Sequence, residues 1–218
     1  MNLLSRISMI QILMTIVLIG IIPIKTILKI QEVDEELPKM TRQDRILLYA
    51  ASIIEIVVFI FTLNQQQNLI YTLSILVVTC LLNITSYMDE KIQSFHLWIC
   101  LLGILIQAVL YVVSIVKYEN YINIICIIAI LAILVAMLVT SLFGGIGLGD
   151  LLLYVMIALS YLTISHLAHV LLAVNIVVSY IVFLIRNIMR KKDINKSNPF
   201  TLSIAIISFI INSTIWII

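Results

Sequence analysis

Three acidic residues lie where acids are rare, within or at the ends of long apolar stretches. Glu55 lies inside an apolar run, Asp89 ends one and Asp150 begins one. A carboxylate at membrane depth is costly unless it is paired, protonated or in contact with water, so acids in such positions are typical of functional sites. Two carboxyls that share one site divide into an acid and a base, and such a pair can activate water against an amide bond.

Structural explanations are open for each acid taken alone. Asp89 begins the polar segment Asp89-Glu90-Lys91 and can simply be an interfacial charge that ends a helix. Asp150 can be a helix N-cap, a common use of aspartate. Glu55 can be a proton or ion site, or an acid that is hydrogen-bonded to a neighbouring helix. The spacing of the three residues does not decide between these interpretations.

The segment before Asp150 favours a functional interpretation. Four of the six glycines of the chain precede it, namely Gly144, Gly145, Gly147 and Gly149. Glycine permits unusual backbone angles and close approach of a second chain, at an entropic cost. The pattern predicts an aspartate that is held in place while a substrate strand passes its backbone. A glycine-rich bend used only for tight helix packing remains an alternative, and a phosphate-binding loop is disfavoured because no Lys-Ser/Thr follows.

The elements that position these acids must be membrane helices. The chain has 218 residues, of which 63% are hydrophobic and 11% are charged, whereas soluble domains are about half apolar and a quarter charged. This excludes an ordinary soluble enzyme, a secreted disulfide domain and a disordered tail. The net charge of +2 gives no sign of nucleic-acid binding. We expect no disulfide or zinc site, since Cys80, Cys100 and Cys126 all lie in apolar runs and form no Cys-x-x-Cys pair.

Runs of about 20 apolar residues predict the membrane spans. We predict one all-α, polytopic membrane domain over residues 1–218, with about eight transmembrane helices in a range of six to eight. The predicted spans are 7–24, 46–63, 69–88, 97–116, 122–143, 151–165, 167–185 and 200–218.

The Lys and Arg residues predict the orientation of the chain. With the N-terminus outside, the predicted loops 25–45 and 186–199 and Lys91 lie on the cytoplasmic side, and only Arg6 and Lys117 of the 13 basic residues lie outside. The same topology brings Asp89, the 144–149 loop and Asp150 to the cytoplasmic face.

The motif Gly147-Leu148-Gly149-Asp150, with Asp89 at the end of an earlier helix, resembles the membrane aspartyl proteases of the Gly-x-Gly-Asp type. The chain is most similar to bacterial type IV prepilin peptidases and archaeal preflagellin peptidases. Their motif Gly-Gly-Met-Gly-x-Gly-Asp-Val-Lys-Leu is followed closely over residues 144–153, and Ile53-Ile54-Glu55 is similar to their Leu-Val-Glu helix opening. The resemblance covers about residues 40–185. Departures are the missing Ile-Pro-Asn and Leu152 at the family's lysine position.

This resemblance implies a membrane aspartyl endopeptidase with Asp89 and Asp150 as the catalytic pair. It implies that the glycines 144, 145, 147 and 149 shape the substrate loop, that Glu55 and Lys91 support the site, and that no cofactor is used. The implied substrate is a pilin-like precursor of type IV pilus or protein-secretion systems. Its short basic leader, which precedes a hydrophobic helix, is cut at the cytoplasmic face of the bacterial cell membrane. Because the family's Cys-x-x-Cys insert is missing from 25–45, we do not expect N-methyltransferase activity.

Two other functions remain open. Presenilin-type and signal-peptide-peptidase-type proteases combine Tyr-Asp with Gly-x-Gly-Asp and a late Pro-Ala-Leu, whereas this chain has Tyr87-Met88-Asp89 and no Pro-Ala-Leu. A proton-coupled transporter can use Glu55, Asp89 and Asp150 as protonatable sites. Inverted repeats would support a transporter, and we find none in the sequence.

Overall fold

The computed structural model is an all-α bundle, as predicted. It describes residues 9–33, 38–63, 68–94, 97–118, 124–143, 146–190 and 199–214. Within these ranges there are eight helices and no strand: α1 Met9–Val33, α2 Arg42–Leu63, α3 Leu69–Ile92, α4 Leu97–Tyr118, α5 Ile124–Leu142, α6 Leu148–Ile164, α7 Ala168–Met189 and α8 Thr201–Thr214.

The chain is a multi-pass membrane protein. Six of the described helices are long and apolar enough to cross a bilayer, and α6 and α8 are shorter apolar helices. Of the six long helices, α3 is the most buried and contacts α1, α4, α6 and α8, whereas α2 and α5 are the least buried. Helices that expose apolar side chains over most of their surface are suited to contact with lipid.

The first helix is longer than the sequence predicted. Residues 25–33 belong to the predicted loop 25–45, but in the structure they continue α1 to Val33. Pro23 lacks a backbone N–H and normally interrupts a helix, but here a π-helical turn at Ile16–Ile21 precedes it and the helix continues. Ile27 and Ile30 then pack against α3, which stabilises the added turns. The predicted loop 186–199 also begins later, because α7 continues to Met189.

Buried hydrogen bonds connect the helices within the bundle. The Ser74 hydroxyl of α3 donates to Gln107 Oε1 of α4 at 2.6 Å and lies 2.9 Å from Ser160 Oγ of α6. Gln107 Nε2 donates in turn to the Ser74 carbonyl at 3.0 Å. Away from water, polar side chains are satisfied by neighbouring helices and hold them together. This polar cluster fixes the positions of α3, α4 and α6.

The end of α3 is sharply defined. Gln93 adopts a left-handed conformation with φ of 53°, and its backbone N–H donates to the Asp89 carbonyl at 2.9 Å. A left-handed residue after the last turn is a common way to end a helix, although it is usually glycine. Asp89 therefore lies in the last turn of α3. We call this end of the bundle, where α3 ends and α6 and α8 begin, the acid end.

Candidate active site

Asp89 is buried against the beginning of α8. Its side chain is only 8% exposed, and Oδ2 accepts a hydrogen bond of 3.0 Å from the backbone N–H of Thr201, the first residue of α8. The backbone N–H of Phe200 also faces this carboxyl. The unpaired N–H groups at a helix N-terminus favour a negative charge. The last helix of the described chain thus supplies the polar partners of an acid on the third.

Asp150 lies in the first turn of α6. Its carboxyl turns back to the backbone N–H of Gly147, the N-cap residue, as in a capping box. A Cβ atom on Gly147 would lie 3.2 Å from Asp150 Oδ2. The φ of Gly147 is −68°, which any residue can adopt, so this glycine is required for space and not for its backbone angles.

The two aspartates come together at the acid end. They are near enough to interact electrostatically, and the hydroxyl of Thr201 faces both carboxyls. Two neighbouring carboxyls resist ionising together, which favours a state with one proton for the pair. Such a pair then consists of one carboxylate and one carboxylic acid, the two groups that general base and general acid catalysis require.

An ion pair that the sequence did not predict lies beside the site. The Nη1 atom of Arg186, on α7, lies 2.8 Å from Glu90 Oε1, and Arg190 Nη1 lies 3.3 Å from Glu90 Oε2. The Arg186 guanidinium also donates to the carbonyl of Pro199 and interacts electrostatically with Asp89. The sequence did hold one signal for this ion pair. Arg186 and Arg190 are four residues apart, which places both on the same face of a helix.

Lys91 is separated from the acid pair. Its Nζ atom lies 2.8 Å from Asp44 Oδ1 at the start of α2 and 5.8 Å from the ring centroid of Tyr87. Asp44 also caps α2, since its carboxylate accepts hydrogen bonds from the backbone N–H and the hydroxyl of Thr41. Lys91 therefore connects α3 to α2.

Glu55 is also outside the pair. Its carboxyl accepts a 2.6 Å hydrogen bond from Asn83 Nδ2 of α3. Asn83 precedes Asp89 by six residues, which is about 9 Å along the helix. Glu55 thus connects α2 to α3 well within the bundle. The predicted loop-shaping residues Gly144 and Gly145 lie outside the described residues, and Gly149 lies in the first turn of α6.

The histidines that the structure describes lie at the opposite end. His169 Nδ1, near the start of α7, is 3.3 Å from Cys126 Sγ, near the start of α5, and His166 precedes α7. Within the described ranges, no group of three or more His, Cys, Asp or Glu side chains is arranged to hold a metal ion.

Comparisons of the chain with family models, curated proteins and solved structures find no match. What the protein does must therefore be inferred from its own residues.

Proposed function

We propose that this protein is a membrane-embedded aspartyl endopeptidase. The observation that supports it is the proximity of Asp89 and Asp150, which come from two different helices and interact electrostatically at one end of the bundle. An aspartate that only caps a helix or marks its end does not require a second aspartate beside it. An acid pair of this kind is the central requirement of aspartyl proteolysis.

The two carboxyls supply general base and general acid catalysis. The ionised aspartate takes a proton from a water molecule while the water oxygen forms a bond to the scissile carbonyl carbon. The protonated aspartate gives its proton to the carbonyl oxygen as the tetrahedral intermediate forms. When the intermediate collapses and the C–N bond breaks, the first aspartate passes the proton that it took from water to the leaving amine, and a hydroxyl proton of the intermediate returns to the second aspartate. Water is the only other reactant.

Access to the pair is on the α6 side. Gly147 is exposed, and the neighbouring apolar side chains of Phe143 and Leu148 are 86% and 55% exposed. An extended peptide can approach the backbone at Gly147, because this residue is exposed and has no side chain of its own. Phe143 and Leu148 offer an apolar surface to a hydrophobic helix that continues from that peptide.

The proposed substrate class comes from the resemblance in the sequence. It is a pilin-like precursor with a short basic leader and a hydrophobic helix, cut on the cytoplasmic side of the cell membrane. The basic residues Lys91, Arg186 and Arg190 share the acid end with the two aspartates. If this basic end faces the cytoplasm, as Lys and Arg near membrane helices usually do, so does the acid pair.

The test is precursor cleavage by purified protein in lipid vesicles, measured by mass spectrometry. Asp89→Asn and Asp150→Asn each remove one carboxylate with little change of shape. We expect each to lower cleavage by roughly 100-fold or more, the usual contribution of a general acid or base. Asp44→Asn is the matched control, because Asp44 is at the same end but is bound to Lys91 and Thr41.

The outcomes separate the possible functions. Cleavage between the leader and the hydrophobic helix, lost in both site variants and kept in Asp44→Asn, supports the proposal. Cleavage within the hydrophobic helix would instead indicate a protease of the presenilin type. Unchanged cleavage in both site variants would contradict the assignment of the catalytic pair. Proton flux without any cleavage, abolished by the same variants, would indicate a transporter.

A further inference from the structure

Thr201 contacts the acid pair in a way that the sequence did not indicate. It is fully buried at the start of α8, and its backbone N–H donates to Asp89 Oδ2 at 3.0 Å. Its hydroxyl faces the carboxyls of both Asp89 and Asp150. Yet among the described residues this hydroxyl has no hydrogen bond of good geometry. A fully buried hydroxyl without a partner is uncommon and requires an explanation.

A hydroxyl is suited to a pair of acids that share one proton. It has one hydrogen to donate and two lone pairs to accept with. It can therefore donate to the ionised carboxylate and accept from the protonated carboxyl at the same time. When the proton moves from one aspartate to the other, rotation of the hydroxyl restores both hydrogen bonds.

We propose that Thr201 is a positioning residue, whose hydroxyl bridges Asp89 and Asp150 and holds them at the separation that activates water. This inference rests on the proposed proteolytic function. The backbone N–H of Thr201 fixes one oxygen of Asp89, and the hydroxyl orients the two carboxyls relative to each other. The beginning of α8 thus becomes a third part of the active site, beside the end of α3 and the beginning of α6.

Other charged and titratable groups surround the pair and must be constant in any test. They come from α3, α4, α6 and α7, and those with electrostatic contact to either aspartate are Glu90, Cys100, Tyr154 and Arg186. None of them is altered by a substitution at Thr201. A change in pH dependence after that substitution therefore reports on the hydroxyl.

The variants are chosen to separate the hydroxyl from the shape of the side chain. Thr201→Val keeps the branched shape and the backbone N–H but removes the hydroxyl, whereas Thr201→Ser keeps the hydroxyl. Thr163→Val is the matched control: Thr163 is also fully buried, but it lies near the other end of α6 and its hydroxyl donates to the Leu159 carbonyl at 2.9 Å.

Kinetics of precursor cleavage form the first measurement. We expect Thr201→Val to lower kcat roughly 10- to 100-fold, as for loss of a hydrogen bond to a charged group, with little change in KM. The acidic limb of its pH–activity profile should move to higher pH by about one unit, because the ionised carboxylate loses a donor. Thr201→Ser should be within a few-fold of the parent protein, and Thr163→Val should match it.

Infrared titration of the carboxyl band forms the second measurement and needs no substrate. In Thr201→Val the band of the protonated carboxyl should persist to higher pH than in the parent protein and in Thr163→Val. If Thr201→Val has the same cleavage rate, pH profile and carboxyl band as the parent protein, the bridging role is wrong, but the proposed function is not affected. A parent protein that cleaves no precursor would overturn the proposed function, while the infrared result would still decide whether the hydroxyl binds the pair.

Discussion

Replacement of Gly147 by alanine tests whether the space beside Asp150 is required for catalysis. The substitution adds one methyl group at the N-cap of α6. Its carbon would lie 3.2 Å from Asp150 Oδ2 and 3.9 Å from Asp150 Cγ. The first distance is tighter than most contacts between a methyl carbon and an oxygen. The carboxyl must therefore move by a few tenths of an ångström, because the helix backbone that carries it is fixed by packing.

The magnitude follows from the precision that catalysis requires. A displacement of about 1 Å in a reacting group can cost about 100-fold in rate. A displacement of a few tenths of an ångström should therefore lower kcat about 3- to 10-fold. Alanine is also a poorer N-cap residue than glycine, which should lower the free energy of unfolding by up to about 1 kcal/mol.

The assay is precursor cleavage in lipid vesicles together with thermal unfolding of the same preparation. Gly20→Ala is the matched control, because its new carbon would lie 3.3 Å from Ile56 Cδ1, the mobile end of a side chain away from the acid pair. We expect that control to cleave at the parent rate. Parent kinetics in Gly147→Ala would refute the reasoning that this glycine gives Asp150 its position.

Two further predictions concern the surroundings of the site and the bundle. Arg186→Met should lower the free energy of unfolding by about 1–3 kcal/mol, because the half-buried Glu90 carboxylate then keeps only its more distant partner Arg190. Adding Glu90→Gln should restore part of that loss, since it removes the under-compensated charge; a double variant no more stable than the single one would contradict this. Gln107→Leu should lower the free energy of unfolding by about 1–2 kcal/mol, because it removes the two hydrogen bonds between Gln107 and Ser74. It should leave kcat/KM for precursor cleavage unchanged. Denaturation in detergent measures both.

The sequence located the acid pair because an apolar chain has few positions for charge. Asp89 and Asp150 stand out from the other acids because they lie at the ends of apolar runs. The predicted order of the membrane helices then brings both to the same end of the bundle. Their catalytic role remains a prediction. Thr201 was not recognised, because threonine is ordinary in a membrane helix. Its contact with Asp89 depends on the packing of α8 against α3, which a single sequence does not encode in any local pattern.

Lys91 and Glu55, which were expected to support the site, show that neither closeness in sequence nor charge is enough to place a residue beside the acid pair. Lys91 is two residues from Asp89, but two residues of a helix turn the side chain by about 200°, so Lys91 points away from the pair and toward Asp44. Glu55 was singled out for its charge, but Asn83 satisfies it elsewhere in the bundle. In the first helix, the predicted span ended at residue 24, whereas the helix continues through Pro23 to Val33.

The shortness of α6 has a consequence for the membrane around it. Its 17 residues span about 26 Å, which is less than the roughly 30 Å hydrocarbon thickness of a typical bilayer. At least one end of α6 therefore lies below the level of the lipid headgroups, unless the bilayer thins beside it. A hydrophobic mismatch of this kind draws headgroups and water toward the helix end. The lipid composition of the membrane then becomes a determinant of how well the first turn of α6 is hydrated.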